Sequence, residues 1–173
     1  NKKPLSFEEK IGLFAELYLL NRILIPRLGS SAVLTWRGPQ KERHDFQANE
    51  WHIESKATTK PIPIFHINGH DQLQAPRGKT LLLFCLFLSK ESGSSDTIES
   101  EIDGIRAHLS SGLSELRSFD ECLLASGYDN NDEPLHLRIR RADFYVVNDQ
   151  FPNLGIDELP AGVTRIDWEI DLS

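Results

Sequence analysis

Glu54 and Lys56 stand two residues apart within Trp51–Thr58, a stretch whose alternation reads as a β-strand. Trp51, Ile53, Ser55 and Ala57 point one way; His52, Glu54, Lys56 and Thr58 point the other. Asp45 lies nine residues before Glu54, at the start of a short strand, Asp45-Phe46-Gln47, that a turn at Asn49-Glu50 folds back against it. Two carboxylates then converge at one end of a hairpin with an ammonium beside them. Hard oxygen ligands of this kind hold Mg²⁺ or Mn²⁺. The metal polarises a phosphoryl oxygen and lowers the pKa of bound water, while a nearby cation steadies the nucleophile and the developing charge. Phosphodiester hydrolysis needs such a set, with Asp45, Glu54 and the backbone carbonyl of Ser55 as metal ligands and Lys56 as the water-activating residue. The same pair also fits an exposed strand salt bridge, which contributes little to stability. Spacing alone does not separate the two, since Glu8-Glu9-Lys10 repeats it on a helix with no Asp upstream.

The elements around this cluster follow from pattern and punctuation. Ser6 to about Arg27 reads as a helix, capped by Ser6 with Glu9 in capping-box spacing and ended near Pro26. Glu16 lies inside its apolar stripe of Leu13, Leu17, Leu20 and Leu24. A carboxylate on a buried face needs a partner, because desolvating it unpaired is costly. Glu16 is therefore either a third metal ligand or bonded to Trp36, Trp51 or Lys56. Ala32 to Arg37 reads as a strand closed by Gly38-Pro39, and Pro61 and Pro63 mark Ile62 to Ile67 as an edge or irregular strand. A helical turn at Asp71 to Gln74 leads to Lys79–Ser89, whose apolar run belongs at the centre of a sheet. A flexible loop from Glu91 to Asp96 precedes helices over Ile98–Leu109 and Leu113–Ala125. A turn at Asp129 to Pro134 precedes strands over Leu135–Val147 and Val163–Ile170. This order describes a mixed α/β domain, a sheet flanked by helices.

The pattern resembles the PD-(D/E)XK nuclease superfamily, and more narrowly the clade of PD-(D/E)XK proteins encoded beside bacterial restriction–modification genes. The blocks that carry the resemblance are Trp36-Arg37-Gly38-Pro39, Asp45-Phe46, Glu54-Ser55-Lys56-Ala57, Asp71-Gln72-Leu73, and the tail from Phe151-Pro152 through Leu159-Pro160-Ala161-Gly162-Val163. Together they cover most of the chain. The resemblance implies a restriction-endonuclease-like αβββαβ core with C-terminal helices and strands. It also implies a Mg²⁺- or Mn²⁺-dependent DNA endonuclease of a restriction or phage-defence system, with further restriction subunits or a homodimer as partners. By resemblance Glu16 matches the first-helix carboxylate that assists metal binding, and Gln72 matches the Gln that follows the core strands and joins the catalytic set. His44 stands where the name-giving Pro would be. Its sequence setting reads as a surface or loop histidine.

Composition sets limits on this reading. The net charge of −7 opposes phosphate binding by a uniform surface. The charge is uneven, however: acidic residues crowd Ser92 to Asp103 and Asp129 to Glu133, whereas Arg138, Arg140 and Arg141 cluster, as do Lys56 and Lys60. An acidic overall balance also suits a rival reading, a DNA-binding or assembly subunit that keeps the fold without cleaving. The longest apolar run, Leu81–Leu88, has eight residues, far below the roughly 20 that cross a bilayer. Asn1-Lys2-Lys3-Pro4 has no apolar segment behind its lysines, and two cysteines offer no disulfide framework. A cytoplasmic domain spanning 1–173 is expected. With no Met at its start or anywhere else, it reads as a piece of a longer chain, and the resemblance, to a clade whose members are longer at the N-terminus, implies that it is the C-terminal part. His52-Ile53-Glu54 lacks the Pro-Cys-x-x-Cys segment of zinc deaminases, and neither a Gly-rich phosphate loop nor G-x-S-x-G is present.

Overall fold

The computed structural model describes residues 4–154 and 159–173. The start Asn1–Lys3 and the 155–158 part of the tail block lie outside the described residues. Helix α1 spans Phe7–Leu19, capped as its sequence demands: Ser6 Oγ accepts from Glu9 N at 3.2 Å and Glu9 Oε2 accepts from Ser6 N at 2.7 Å. Ser6→Ala is expected to cost about 1 kcal/mol, seen as a lower urea midpoint at unchanged m-value; an unchanged midpoint would mean that the cap contributes nothing.

The helix runs through Pro26 to Leu28, within one residue of its expected end. It widens into a π turn at Leu20–Leu24 and resumes as α2, Ile25–Leu28. Pro26 has no N–H to give to the preceding turn, and an i→i+5 turn accommodates that loss. The widened turn carries Asn21 and Arg22, both bonded to the fully buried Glu101: Asn21 Nδ2 donates to Oε2 at 2.7 Å, and Arg22 pairs with Oε1 and with Asp96 at 2.6 Å. Glu101 lies on α3, Ile98–His108, so this network locks α1 to α3.

The main sheet has the order β1-β2-β4-β5, with β1 Phe46–Gln47, β2 Trp51–Thr58, β4 Thr80–Lys90 and β5 Leu137–Val147. Strand β4 runs parallel to β2 and antiparallel to β5, and β1 is antiparallel to β2. Its central place explains the continuous apolar run, because both faces of β4 are covered. Phe84, Leu86 and Leu88 pack with Ile53 and Phe46 beneath α1, α3 and α4 (Leu113–Ala125). Leu81, Leu83, Cys85 and Phe87 face the other way, onto β3 (Ile64–Asn68), Leu73 and Ile170 of β6 (Asp167–Asp171). Helices thus cover one face, and a small two-stranded sheet, β3 with β6, covers the other.

Two expectations change here. Ala32 to Arg37 is no strand: Ser30–Thr35 form a 3₁₀ helix, and Trp36 alone bridges to Phe46. Neighbouring Ala32 and Val33 are both buried, which one face of a strand cannot provide but a helical turn against α4 can. Strand β3 is an edge strand, as Pro61 and Pro63 led one to expect: it lies outside the main sheet and pairs over Ile64–Asn68 with β6. The last strand is Asp167–Asp171 rather than Val163–Ile170. Among the described residues no helix is long and apolar enough to cross a membrane, and Cys85 and Cys122 are free and buried.

Candidate active site

Register decides which side chains meet. In the β2–β4 ladder Glu54 lies opposite Leu83 and Lys56 opposite Cys85, so both project onto the face covered by β3. Strand β1 pairs with β2 only at His52 and Ile53, which leaves the edge of β2 open from Glu54 onward. Asp45 fills that opening, its Oδ2 accepting from Ser55 N at 2.8 Å. The N–H and C=O of one strand residue point to the same side, so the Ser55 carbonyl is directed along the same edge.

Glu16 reaches this edge from α1. Its Oε2 accepts from Trp36 Nε1 at 2.6 Å. Gly38 lies under the meeting point of the two acids, held there by Arg37 N and Gly38 N, which donate to Asp45 O at 2.6 and 3.0 Å. A Cβ at Gly38 would collide with Glu16 Oε2 and stand 2.9 Å from Asp45 Oδ1; only glycine allows this approach. Lys56 Nζ lies 2.9 Å from Glu54 Oε1 and donates to Gln72 Oε1 at 2.9 Å. The same Gln72 oxygen accepts from Asn68 N at 3.0 Å. Arg43 holds the Gln72 turn from outside, donating to Asp71 O at 3.0 Å and Gln74 O at 2.8 Å.

Glu16, Asp45, Glu54, Lys56 and Gln72 are therefore neighbours, drawn from α1, the β1 start, β2 and the turn after β3. The electrostatics are those of crowded, dry acids. Burial pushes the Glu54 carboxyl up to about 8, helped by Asp45 and opposed by Lys56. Burial raises Glu16 well above the carboxylate range, with Asp45 and Glu54 adding and the Trp36 bond opposing. Asp45 is raised by burial against the pull of Ser55 N–H and Lys56. One ammonium does not neutralise three carboxyls, so the cluster is short of positive charge.

Whether a divalent cation suits it turns on the donors. Among the described residues no three His, Cys, Asp or Glu side chains are grouped to hold a metal ion by themselves. Trp36, Ser55 N–H and Lys56 each already occupy one carboxylate oxygen of the three acids. Mg²⁺, however, is commonly held by one or two carboxylates and keeps several waters. Asp45 and Glu54, with the Ser55 carbonyl beside them, match that requirement in type and in their deficit of positive charge.

His44 is the residue that sequence reasoning misjudged. It is fully buried rather than at the surface, its Nδ1 2.9 Å from Nδ1 of buried His52. Burial, then the charges of Arg43 and His52, push His44 down to about 4; burial and Lys79 lower His52. A neutral pair, one ring donating to the other, packs behind the acids where the hairpin closes. The alternation of β2 already placed His52 beside Glu54, but nothing local reveals that His44 turns in to meet it. Gly38 and Arg43 also gave no sequence signal of their own beyond the Trp36–Pro39 block, because both act through residues distant in the chain.

Residues 1–173 match the model of a family described as putative PD-(D/E)XK family member (DUF4420). Among curated proteins and among solved structures nothing matches the chain.

Proposed function

The chain belongs to this PD-(D/E)XK family over its whole length, and on that premise we propose that it is a Mg²⁺- or Mn²⁺-dependent DNA endonuclease of a bacterial restriction or phage-defence system. The mixed α/β architecture is consistent with a restriction-endonuclease-like fold, and family membership points to a nuclease-type activity on DNA. The observation that carries the specific reading is the convergence of Asp45, Glu54 and Lys56 at the open edge of β2, with Gln72 2.9 Å from the Lys56 ammonium.

Asp45, Glu54 and the Ser55 carbonyl would hold the cation, with Glu16 assisting through Asp45. When bound, the cation polarises a phosphoryl oxygen and offsets charge developing on it. The protein's own groups do the rest. Lys56 presents a fixed ammonium, shared between Glu54 and Gln72, to orient the attacking water and stabilise negative charge at the phosphoryl group. Gln72, its oxygen already fixed by Asn68 N and Lys56, restricts the ammonium to one direction. Trp36 holds Glu16, and Ser55 N–H holds Asp45, so that the acids keep their positions through the reaction.

The test is calorimetric titration of Mn²⁺ into the wild type and Asp45→Ala, with plasmid cleavage followed on the same samples. Metal uptake and cleavage by the wild type, both absent from the folded variant, are expected. No metal uptake by the wild type would leave the cluster a structural network. The protein would then be read as a DNA-binding or assembly subunit, which the occupied carboxylate oxygens and the net charge of −7 favour.

A further inference from the structure

The basic residues of β5 are not a uniformly solvated face. Arg138 is taken up by Glu91, with which it pairs at 3.5 Å. Beyond it the β4–β5 register slips between Phe87 and Leu88: Phe87 lies opposite Arg141, and Leu88 opposite Ile139. Arg140 is thus the extra residue of a β-bulge. In a regular strand Arg140 and Arg141 would point to opposite faces; a bulge breaks that alternation and re-aims a side chain. Both arginines line one cavity of about 410 Å³, together with Lys60, Thr59 and Ser89 above Phe87. Arg141 is set in place by its guanidinium 4.1 Å from the centroid of Phe87 and by Asp143 at 2.6 Å. Lys60 is held from the other side. Its backbone N–H donates to Thr58 Oγ1 at 3.1 Å.

Three cations around one cavity stand out on a chain of net charge −7. Their place in the sheet gives them a use. Lys56–Cys85 and Thr58–Phe87 are successive same-face pairs of the β2–β4 ladder, and Arg141 is the β5 partner of Phe87. The cavity therefore opens on the face that carries Glu54 and Lys56. At about 3.3 Å per residue, it begins roughly 10 Å along β2 from Lys56.

We infer that Lys60, Arg140 and Arg141 form an anchor for a backbone phosphate of DNA, separate from the phosphate to be cleaved. The inference rests on the nuclease reading for the identity of its ligand, and it assigns to the anchor the grip that the acidic cluster cannot supply. Guanidinium groups donate to phosphate oxygens in pairs, and contacts to backbone phosphate carry no sequence information, so binding at this anchor is independent of sequence.

The experiment is fluorescence anisotropy of a labelled 20-base-pair duplex as a function of salt, in EDTA so that no strand is cut. It compares wild type, Lys60→Glu/Arg140→Glu and the control Arg27→Glu/Arg117→Glu, which makes the same change of charge on exposed helical positions. The first double variant is expected to bind at least about tenfold more weakly, with the slope of log K against log salt reduced by about 0.9, the value for one phosphate contact. The control is expected to stay within about twofold of wild type. Equal loss in both variants, loss in neither, or no duplex binding by wild type would overturn the anchor. Plasmid cleavage by wild type in Mg²⁺ is scored separately. Cleavage with an unaffected Lys60/Arg140 variant sinks the anchor alone; selective loss of binding without wild-type cleavage sinks the nuclease reading alone.

Discussion

Lys56→Met is expected to lower metal-dependent DNA cleavage by about 10²–10³-fold or more, the usual cost of removing one preorganised electrostatic donor. Methionine keeps most of the stem volume, and the stem is where Lys56 packs. What disappears is the ammonium 2.9 Å from both Glu54 Oε1 and Gln72 Oε1. Without it, Gln72 Oε1 still accepts from Asn68 N, so the turn that carries Gln72 stays in place. Glu54, whose carboxyl already sits up to about 8, simply holds its proton more firmly. The variant should therefore show the wild-type circular dichroism spectrum and similar thermal unfolding near pH 6, with only the cleavage rate collapsing. Cleavage at the wild-type rate would place the water-activating group elsewhere and remove Lys56 from the site.

Glu54→Gln is expected to abolish cleavage and yet stabilise the metal-free protein at pH 8. In the folded chain the Glu54 carboxyl titrates at about 8 instead of the ordinary 4.5, mainly through burial, with Asp45 second. The folded state therefore keeps a proton that the unfolded state releases. The stability this group contributes is fully present below about pH 4.5 and is lost as the pH rises through about 8. Each tenfold difference in proton affinity between the two states corresponds to about 1.4 kcal/mol, and Glu16 and Asp45 share the same protons. A gain on the order of 2 kcal/mol for the glutamine variant at pH 8, shrinking towards zero near pH 4.5, is thus the expected size. Urea denaturation in EDTA at both pH values measures it. Destabilisation at pH 8 would show that the ion pair with Lys56 outweighs burial. A functional group that costs stability while its cation is absent is common at a reactive site.

The two variants act on opposite sides of one balance. Among the described residues Lys56 supplies the positive charge inside a nest of three acids, and it pairs with Glu54 at 2.9 Å. The cap on α1 and the Arg22–Glu101 lock govern how firmly Glu16 is presented, but neither touches the acids themselves.

Much of the site was legible from local pattern. Strand β2 could be read residue by residue because its alternation is strict, and a period of two sends Glu54 and Lys56 to one face wherever the strand ends up. The continuous apolar run of β4 marked the sheet centre, since only a strand covered on both faces tolerates it. Glu16 stood out because a carboxylate in an apolar stripe requires a partner. Other features were beyond local reading. Val33, Thr35 and Trp36 favour a strand by propensity, yet burial of adjacent Ala32 and Val33 under α4 imposed a 3₁₀ turn. The departure of β3 from the main sheet depended on β6, at the far end of the chain.

By itself, then, the sequence determined the chemical types available, the strand that aligns Glu54 with Lys56, and the helix that carries Glu16. Those follow from residue identity and from backbone periods of 2 and 3.6, which are properties of neighbouring residues. The tertiary structure decided everything that depends on distance through space. It set the approach of Glu16 and Asp45 over Gly38, and the burial that turns ordinary acids into reluctant ones. It also turned His44 inwards to His52, and the β5 bulge placed two consecutive arginines around one cavity. The physical reason is the same in each case: desolvation and Coulomb interaction depend on which surfaces pack together, and packing brings together residues that the chain keeps far apart.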